Sequence, residues 1–402
     1  MRRVVVTGLG AVTAFGVGVR PLWEAVSSGR PGFAEIEGVD LERLRFKFGA
    51  QVRGWKGEEH FDPREATLLD AFAQYGAVAA REAIRAAGVE WTPELREQTA
   101  IVTGSCVGGQ GSEDEEFVAL YGRNSPRVSP LTIPRIMENA AASRISLEHG
   151  IVGPVYTIST ACSSSNHALG QAFQLVRSGA VEMAVAGGSE AVFSLGFLKA
   201  WEAMRVVAPD TCRPFSADRK GLILGEGAAM LVLEPMEAAK ARGATIYGEI
   251  VGFGMSSDAH HVTQPSAEGA ARAMRAALKD AGLAAEAIEY VNAHGTGTQA
   301  NDATETAALK SVFGAHAGRL RVSSTKSMHG HALGAAGAIE AVATLMALRE
   351  GVLPPTANYT SRDAACDLDV IPNEARAVKC EYALSNSFAF GGLNAVVCLR
   401  AA

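Results

Sequence analysis

The chain has 402 residues, 48% of them hydrophobic, with 43 glycines and a formal net charge of −6. That length and apolar content can bury a large core in two domain-sized halves, and they exclude a disordered chain. The negative balance gives no reason to expect nucleic acid or an anionic membrane surface as the main partner, and six cysteines with no CxxC spacing argue for a reducing, cytoplasmic setting.

The opening MRRVVVTGLGAVTAFGVGV places two arginines before an apolar stretch. Gly8, Gly10, Gly16 and Gly18 would weaken the helix that a signal peptide needs, so a buried first strand over Val4–Thr7 is the better reading. A helical pattern follows over Leu68–Ala87. AIVTGSCVGG reads as a strand running into glycines, and Glu113-Asp114-Glu115-Glu116 as a solvated helix start. VYTIS is a strand that breaks at Cys162 into a small-residue helix over Asn166–Ser178. EMAVAG and AMLVLE are near-continuous apolar runs, as in strands covered on both faces. Further helical patterns cover Ser266–Ala281 and Ala335–Glu350. No apolar run is long enough to span a bilayer.

The chain also repeats itself. RRVVVTGLG has a counterpart in YGEIVGFGMSS, AIVTGSCVGG in EYVNAHGTGT, VYTISTACSSS in RVSSTKSMHGH, and GEGAAMLVLEP in FGGLNAVVCLR. Each match is weak, but all four fall in the same order, which points to two halves of one architecture joined near Pro235–Thr245. The expected fold is α/β, layered α-β-α-β-α with pseudo-twofold symmetry. Residues 1–240 would carry the nucleophilic cysteine and residues 241–402 two histidines. Sites in such sheets form beyond the carboxyl ends of strands, and Cys162, His294 and His331 all follow expected strands.

Cys162 at a strand–helix junction would face unpaired N–H groups and the positive end of a helix dipole, which favour thiolate. A low-pKa thiol with two glycine-flanked imidazoles is equipment for covalent acyl chemistry. Other features read as decoys. Gly8-Leu9-Gly10 opens like a dinucleotide fingerprint, but Thr13 stands where its third glycine should be. His260-His261 and His329-Gly330-His331 have no partnering ligands at metal spacing, so local hydrogen-bonding roles are expected and no metal. Cys106, Cys212, Cys366, Cys380 and Cys398 read as inert, mostly buried thiols.

From VVVTGLG through TACSSS, GEGAAMLVLE, VNAHGTGT, SSTKSMHGHALGAAGAIE and SNSFAFGGLN, the chain resembles the β-ketoacyl-acyl-carrier-protein synthases, condensing enzymes of the thiolase fold. It looks like the elongating, synthase II type, and HGH with FAFGG looks closest to the nodulation-type synthases that build unusual acyl chains. The resemblance implies that Cys162 takes an acyl chain, that His294 and His331 hold the malonyl thioester oxygen as neutral donors, and that backbone N–H groups of Cys162 and Phe390 form an oxyanion hole. Lys326 and Glu340 would support the site from behind. Thr296 and Thr298 match positions that bind the pantetheine arm or malonyl group, and Phe390 resembles a gate.

The same resemblance implies an acyl carrier protein as partner, no cofactor beyond that carrier's phosphopantetheine, and a dimer. Arg64, Arg127 and Arg205 match the carrier-binding surface, while Thr67 and Leu68 stand where further positive charges are common. Val107 falls at the acyl-pocket floor and Thr132 where a neighbouring-subunit aromatic is usual, so a deeper or more permissive tunnel is expected. Ala389 replaces a gate-loop glycine and Leu393 a threonine. Homodimer and heterodimer with a chain-length-factor-like homologue both stay open. So does the alternative of a non-condensing acyltransferase.

Overall fold

The computed structural model describes residues 1–402. Five strands come from the first half: β1 (Val4–Thr13), β2 (Thr99–Gly104), β3 (Val155–Ile158), β4 (Met183–Glu190) and β5 (Gly227–Pro235). They lie in the order β3-β2-β4-β5-β1; β2 runs parallel to β3 and β4, and β5 antiparallel to β4 and β1. The second half supplies β6 (Gly248–Ser257), β7 (Tyr290–Asn292), β8 (Arg321–Ser323), β9 (Tyr382–Ala389) and β10 (Leu393–Arg400). Their order is β8-β7-β9-β10-β6, with the same senses at every step. The two halves therefore have one topology, that of the thiolase fold. They join edge to edge where Val4, Val5 and Val6 of β1 pair with Ile250, Glu249 and Gly248 of β6.

The four sequence correspondences are the strand pairs β1/β6, β2/β7, β3/β8 and β5/β10. The fifth pair, β4/β9, escaped notice because its members solve different problems. MAVAGGSE needs Gly187, where a Cβ would lie 2.0 Å from Ala229 O. YALSNSFA instead buries the polar run Ser385-Asn386-Ser387.

Helices α1 (Ala71–Ala87), α2 (Ser164–Ser178), α3 (Ala267–Ala281), α4 (Gln299–Phe313) and α5 (Ala336–Glu350) complete the layers. Helix α1 covers the outer face of the first sheet and α3 the outer face of the second, with α4 packed against α3. Helices α2 and α5 lie between the sheets and touch both. A helix buried on all sides must be apolar or small nearly all round, which is how α5 reads; α2 is buried over Ser164–Gly170 and turns Gln171, Gln174 and Arg177 toward its more open end. Helix α1 begins at Ala71, later than its pattern suggested, because the Asp70 side chain accepts from Phe72 N and caps it.

The first strand runs to Thr13, well past Thr7. Gly8 and Gly10 continue it because α1 lies directly on its backbone. A Cβ at Gly8 would sit 2.0 Å from Ala83 O, and one at Gly10 would sit 1.9 Å from Ala79 O. The glycines that mimic a nucleotide fingerprint thus serve close helix–strand packing. No helix is long and apolar enough to cross a membrane.

Candidate active site

Strand β3 ends at Ile158 and α2 starts at Ser164, leaving a tight elbow that carries Cys162. Ala161 takes a left-handed φ of 52° to make the turn. The following serines hold it: Thr160 N donates to Ser164 Oγ at 2.9 Å, Ser164 Oγ to Ala161 O at 2.6 Å, and Ser163 Oγ to Thr160 O at 2.8 Å. This local bonding is why a small polar run must follow the cysteine.

The two histidines arrive from the other half. His294 follows β7, where the Glu305 carboxylate on α4 accepts from His294 N at 2.9 Å and Gly295 N at 2.8 Å. Asn386 of β9 donates to the same carboxylate at 3.1 Å. His331 follows a short helix, Lys326–His329; its N donates to Ile223 O at 2.7 Å and its O accepts from Gly225 N at 2.9 Å. The imidazoles meet edge to face, with centroids 5.3 Å apart and planes at 84°.

Each ring's Nδ1 is buried without a partner, while both side chains line the cleft beside Cys162. A buried N–H without an acceptor costs more than an idle lone pair. The proton is therefore best placed on Nε2, as a donor. Burial, the Lys326 charge and the other imidazole push His294 well below its ordinary pKa, while burial, Lys326 and His329 do the same to His331. Both rings are neutral at pH 7.

Lys326 forms a fully buried ion pair with Glu340 of α5. Burial raises the Glu340 carboxyl to about 7, against the opposing pull of Lys326. The expectation of an activated thiolate at Cys162 is corrected. Burial pushes the thiol up to about 12. The Lys326 charge and the backbone N–H groups of Cys162 and Phe390 pull the other way, and the Glu190 charge adds to the rise. Cys162 lies just before the N-cap residue, Ser163, and is only 6% exposed, so desolvation outweighs the helix end. The two backbone groups at the sulfur are those expected to form the oxyanion hole.

The cleft encloses about 650 Å³ with its mouth included. Trp201, Leu222, Phe388 and Phe390 give it apolar walls, and Thr296 and Thr298 line it with hydroxyls 2.9 Å apart. Phe390 stacks on Trp201 at 6.1 Å and 26°. It opens a turn in which Gly391 and Gly392 take φ of 79° and 72°, and Gly391 N donates to Val262 O at 2.7 Å. Val262–Pro265 form part of the lining. In this loop His261 Nδ1 accepts from Thr263 N and Gln264 N, both at 3.1 Å.

Other expected residues lie elsewhere. Val107 packs in the apolar cluster of Cys162 without lining the cleft. Thr132 is buried outside the cleft, its hydroxyl donating to Ser129 O at 2.7 Å. Arg64, Arg127 and Arg205 are exposed and form no ion pair; Arg205 adjoins Val206 of the cleft wall. Sequence reasoning passed over Trp201, Glu305, Glu190 and the Val262–Pro265 loop. No motif marks the first three, and the loop's only signal was a histidine pair weighed as a metal site.

An acceptor thiol with a backbone donor pair and two neutral imidazoles, at the meeting of two thiolase-like halves, defines a condensing enzyme of the acyltransferase class. Residues 1–239 match "Beta-ketoacyl synthase, N-terminal domain" and residues 247–360 match "Beta-ketoacyl synthase, C-terminal domain". The chain belongs to the β-ketoacyl synthase family. It is 47% identical to nodulation protein E of Rhizobium sp. (strain N33) over 401 residues, 99% of each chain. It is 38% identical to 3-oxoacyl-[acyl-carrier-protein] synthase 2 of Staphylococcus aureus (strain COL) over 406 residues, covering 99% of this chain and 98% of that one. Among solved structures, the ishigamide ketosynthase/chain length factor superimposes with a TM-score of 0.95 at 36% identity, covering 100% and 99% of the two chains. A type II PKS acyl-carrier protein in complex with its ketosynthase gives 0.90 at 32%, with full coverage of both.

Proposed function

We propose that this enzyme elongates an acyl chain carried on Cys162 by decarboxylative Claisen condensation with a malonyl group on an acyl carrier protein. The observation that carries this reading is the pair of neutral imidazoles, His294 and His331, beside a sulfur faced by the N–H groups of Cys162 and Phe390. Cys162 adds to the acyl-carrier thioester, and its proton ends on the departing carrier thiol. Because the resting thiol is protonated, attack and proton loss are coupled. The tetrahedral oxyanion is held by the two backbone donors.

Malonyl carrier then enters with its thioester oxygen against His294 and His331. Loss of carbon dioxide leaves its electron pair as an enolate, stabilised by the two Nε2–H donors. The enolate carbon attacks the acyl-Cys162 carbonyl, and collapse expels the sulfur, which regains a proton. A cationic imidazole would be costly in this pocket, whereas a neutral donor needs no reorganisation. Lys326 supplies fixed positive charge from behind, and Glu340 balances it. Thr296 and Thr298 receive the pantetheine or malonyl group, and Phe390 gates the acyl side. No cofactor is needed beyond the carrier's own phosphopantetheine.

The carrier approaches Arg205, which adjoins Val206 of the cleft wall, and the exposed Arg64 and Arg127 are further candidates for its acidic surface. The solved relative with its bound acyl-carrier protein supports this partner. Val107, packed in the apolar cluster of Cys162, favours a deeper or more permissive acyl tunnel. A dimer forms along β3, whose residues alone among the long sheet's first-half strands are all partly or fully exposed. Tyr121, Ile133, Leu147 and Val152 add exposed apolar surface in neighbouring segments. The ketosynthase half of a heterodimer is the second reading, favoured by the ishigamide ketosynthase/chain length factor likeness.

The deciding experiment uses Cys162→Ala with acyl and malonyl carriers. Condensation and acyl-enzyme mass should vanish, while carbon dioxide release from malonyl carrier survives. Full condensation by this variant would end the proposal.

A further inference from the structure

Glu190 ends β4 with its side chain fully buried, and neither it nor any of its hydrogen-bond partners lines the cleft. One oxygen accepts from Ser105 Oγ at 3.0 Å and Val107 N at 3.2 Å. The other accepts from Cys106 N at 2.8 Å and Gly334 N at 2.9 Å. The first three donors lie in the loop after β2, in the half that carries Cys162. The fourth lies in the other half, in the turn that leaves His331. Ser105 Oγ also accepts from Gly108 N at 3.1 Å, so the grip extends along the loop.

Both clamped segments bear on the nucleophile. Cys106 and Val107 pack in the apolar cluster of Cys162, and so does Leu333, between His331 and Gly334. Leu333 holds a left-handed φ of 44°, a conformation a branched residue keeps only when its surroundings force it. Gly334 leaves no room for a side chain, since a Cβ there would lie 2.5 Å from Glu190 Oε2 and 2.6 Å from Cys106 N. A carboxylate accepts at both oxygens, so it can bind four converging donors; an amide cannot, because its NH₂ would face two of them.

We infer that Glu190 is a positioning residue, stapling the Ser105–Val107 loop to the turn behind His331 and so setting the separation between acylated sulfur and enolate donors. The inference rests on the condensation reading of that site. None of the clamped residues lines the cleft, so loss of the clamp should act on turnover rather than on carrier binding.

The test compares wild type, Glu190→Gln, Glu190→Asp and Gly334→Ala in steady-state condensation. Intact mass of acyl-Cys162 serves as the control for the underlying reaction. Glu190→Gln should lower kcat at least tenfold with KM for malonyl carrier changed less than twofold. Gly334→Ala, which pushes on the same carboxylate without removing it, should do likewise. Glu190→Asp should recover a substantial part of kcat. If Glu190→Gln fails to fold, Gly334→Ala and Glu190→Asp still decide the matter. Wild-type kcat in Gly334→Ala, or KM rising in proportion to the loss of kcat, overturns the clamp. A wild type that neither acylates Cys162 nor condenses overturns the function instead, so the two failures are distinct.

Discussion

The imidazoles of His294 and His331 lie edge to face, 5.3 Å apart, each with a buried and unpartnered Nδ1. That geometry leaves both Nε2–H donors for one oxygen in the cleft. Replacing either histidine with alanine should slow malonyl decarboxylation by roughly 10²–10³-fold, the usual cost of one oxyanion donor. Acylation of Cys162, read by intact mass, should fall far less. Equal losses in both steps would show that the histidines act on the thiol rather than on the enolate.

Lys326 and Glu340 are buried together, so removing one strands the other. Lys326→Met should destabilise the fold by about 3–5 kcal/mol, because Glu340 is left buried without its partner. Lys326→Met with Glu340→Leu should recover much of the stability without recovering activity. Chemical denaturation and carbon dioxide release measure the two effects separately. Recovery of activity in the double variant would reduce the pair to packing.

Glu226 gives a pH signature away from the cleft. Its carboxyl is buried against Val52 N at 2.9 Å, and burial lifts it to about 8 from an ordinary value of 4.5. A raised folded pKa contributes stability that is full below the unfolded value and lost as pH climbs through the folded one. Glu226→Gln escapes that loss. The Tm of the variant minus that of wild type should therefore rise between pH 5 and pH 9. A flat or falling difference would mean the carboxyl ionises normally.

Phe390 rests on Trp201, and its turn is tied to the Val262 loop through Gly391. Trp201→Ala should free the phenylalanine and widen the range of acyl chains loaded onto Cys162. A chain-length series read by mass spectrometry tests this. An unchanged profile would show that the stack does not control entry.

An exposed edge strand predicts assembly. Tyr156→Lys on β3 should convert a dimer to monomer in light scattering, with the far-ultraviolet circular dichroism spectrum retained. If the variant stays dimeric, the contact lies elsewhere.

Much of this molecule was legible because its chemistry is marked by local pattern. The elbow at Cys162 announces itself through the run of small polar residues that close it, His294 through a glycine that lets the chain turn after a strand, and His331 through Gly330, although a short helix separates it from the strand expected just before it. The doubled architecture could be read from four strand–glycine segments in matching order. Glu305 and Glu190 were invisible for the opposite reason. Each is a single carboxylate whose meaning lies in the donors that the fold converges on it, from the loop after a strand and from the other half for Glu190, and from the His294 turn and the Asn386 amide for Glu305, and no spacing encodes that. Trp201 likewise has no function until Phe390 stacks on it.

The amino-acid order alone determined which reactive groups the chain can offer a site, since a nucleophile, two imidazoles and a lysine are set by side-chain chemistry. Tertiary structure decided their protonation states. The helix end beside Cys162 argued for a thiolate, yet burial raises the thiol to about 12, and the same burial with Lys326 keeps both histidines neutral. Desolvation depends on what surrounds a group in space, and that is a property of the folded chain and not of its neighbours along it.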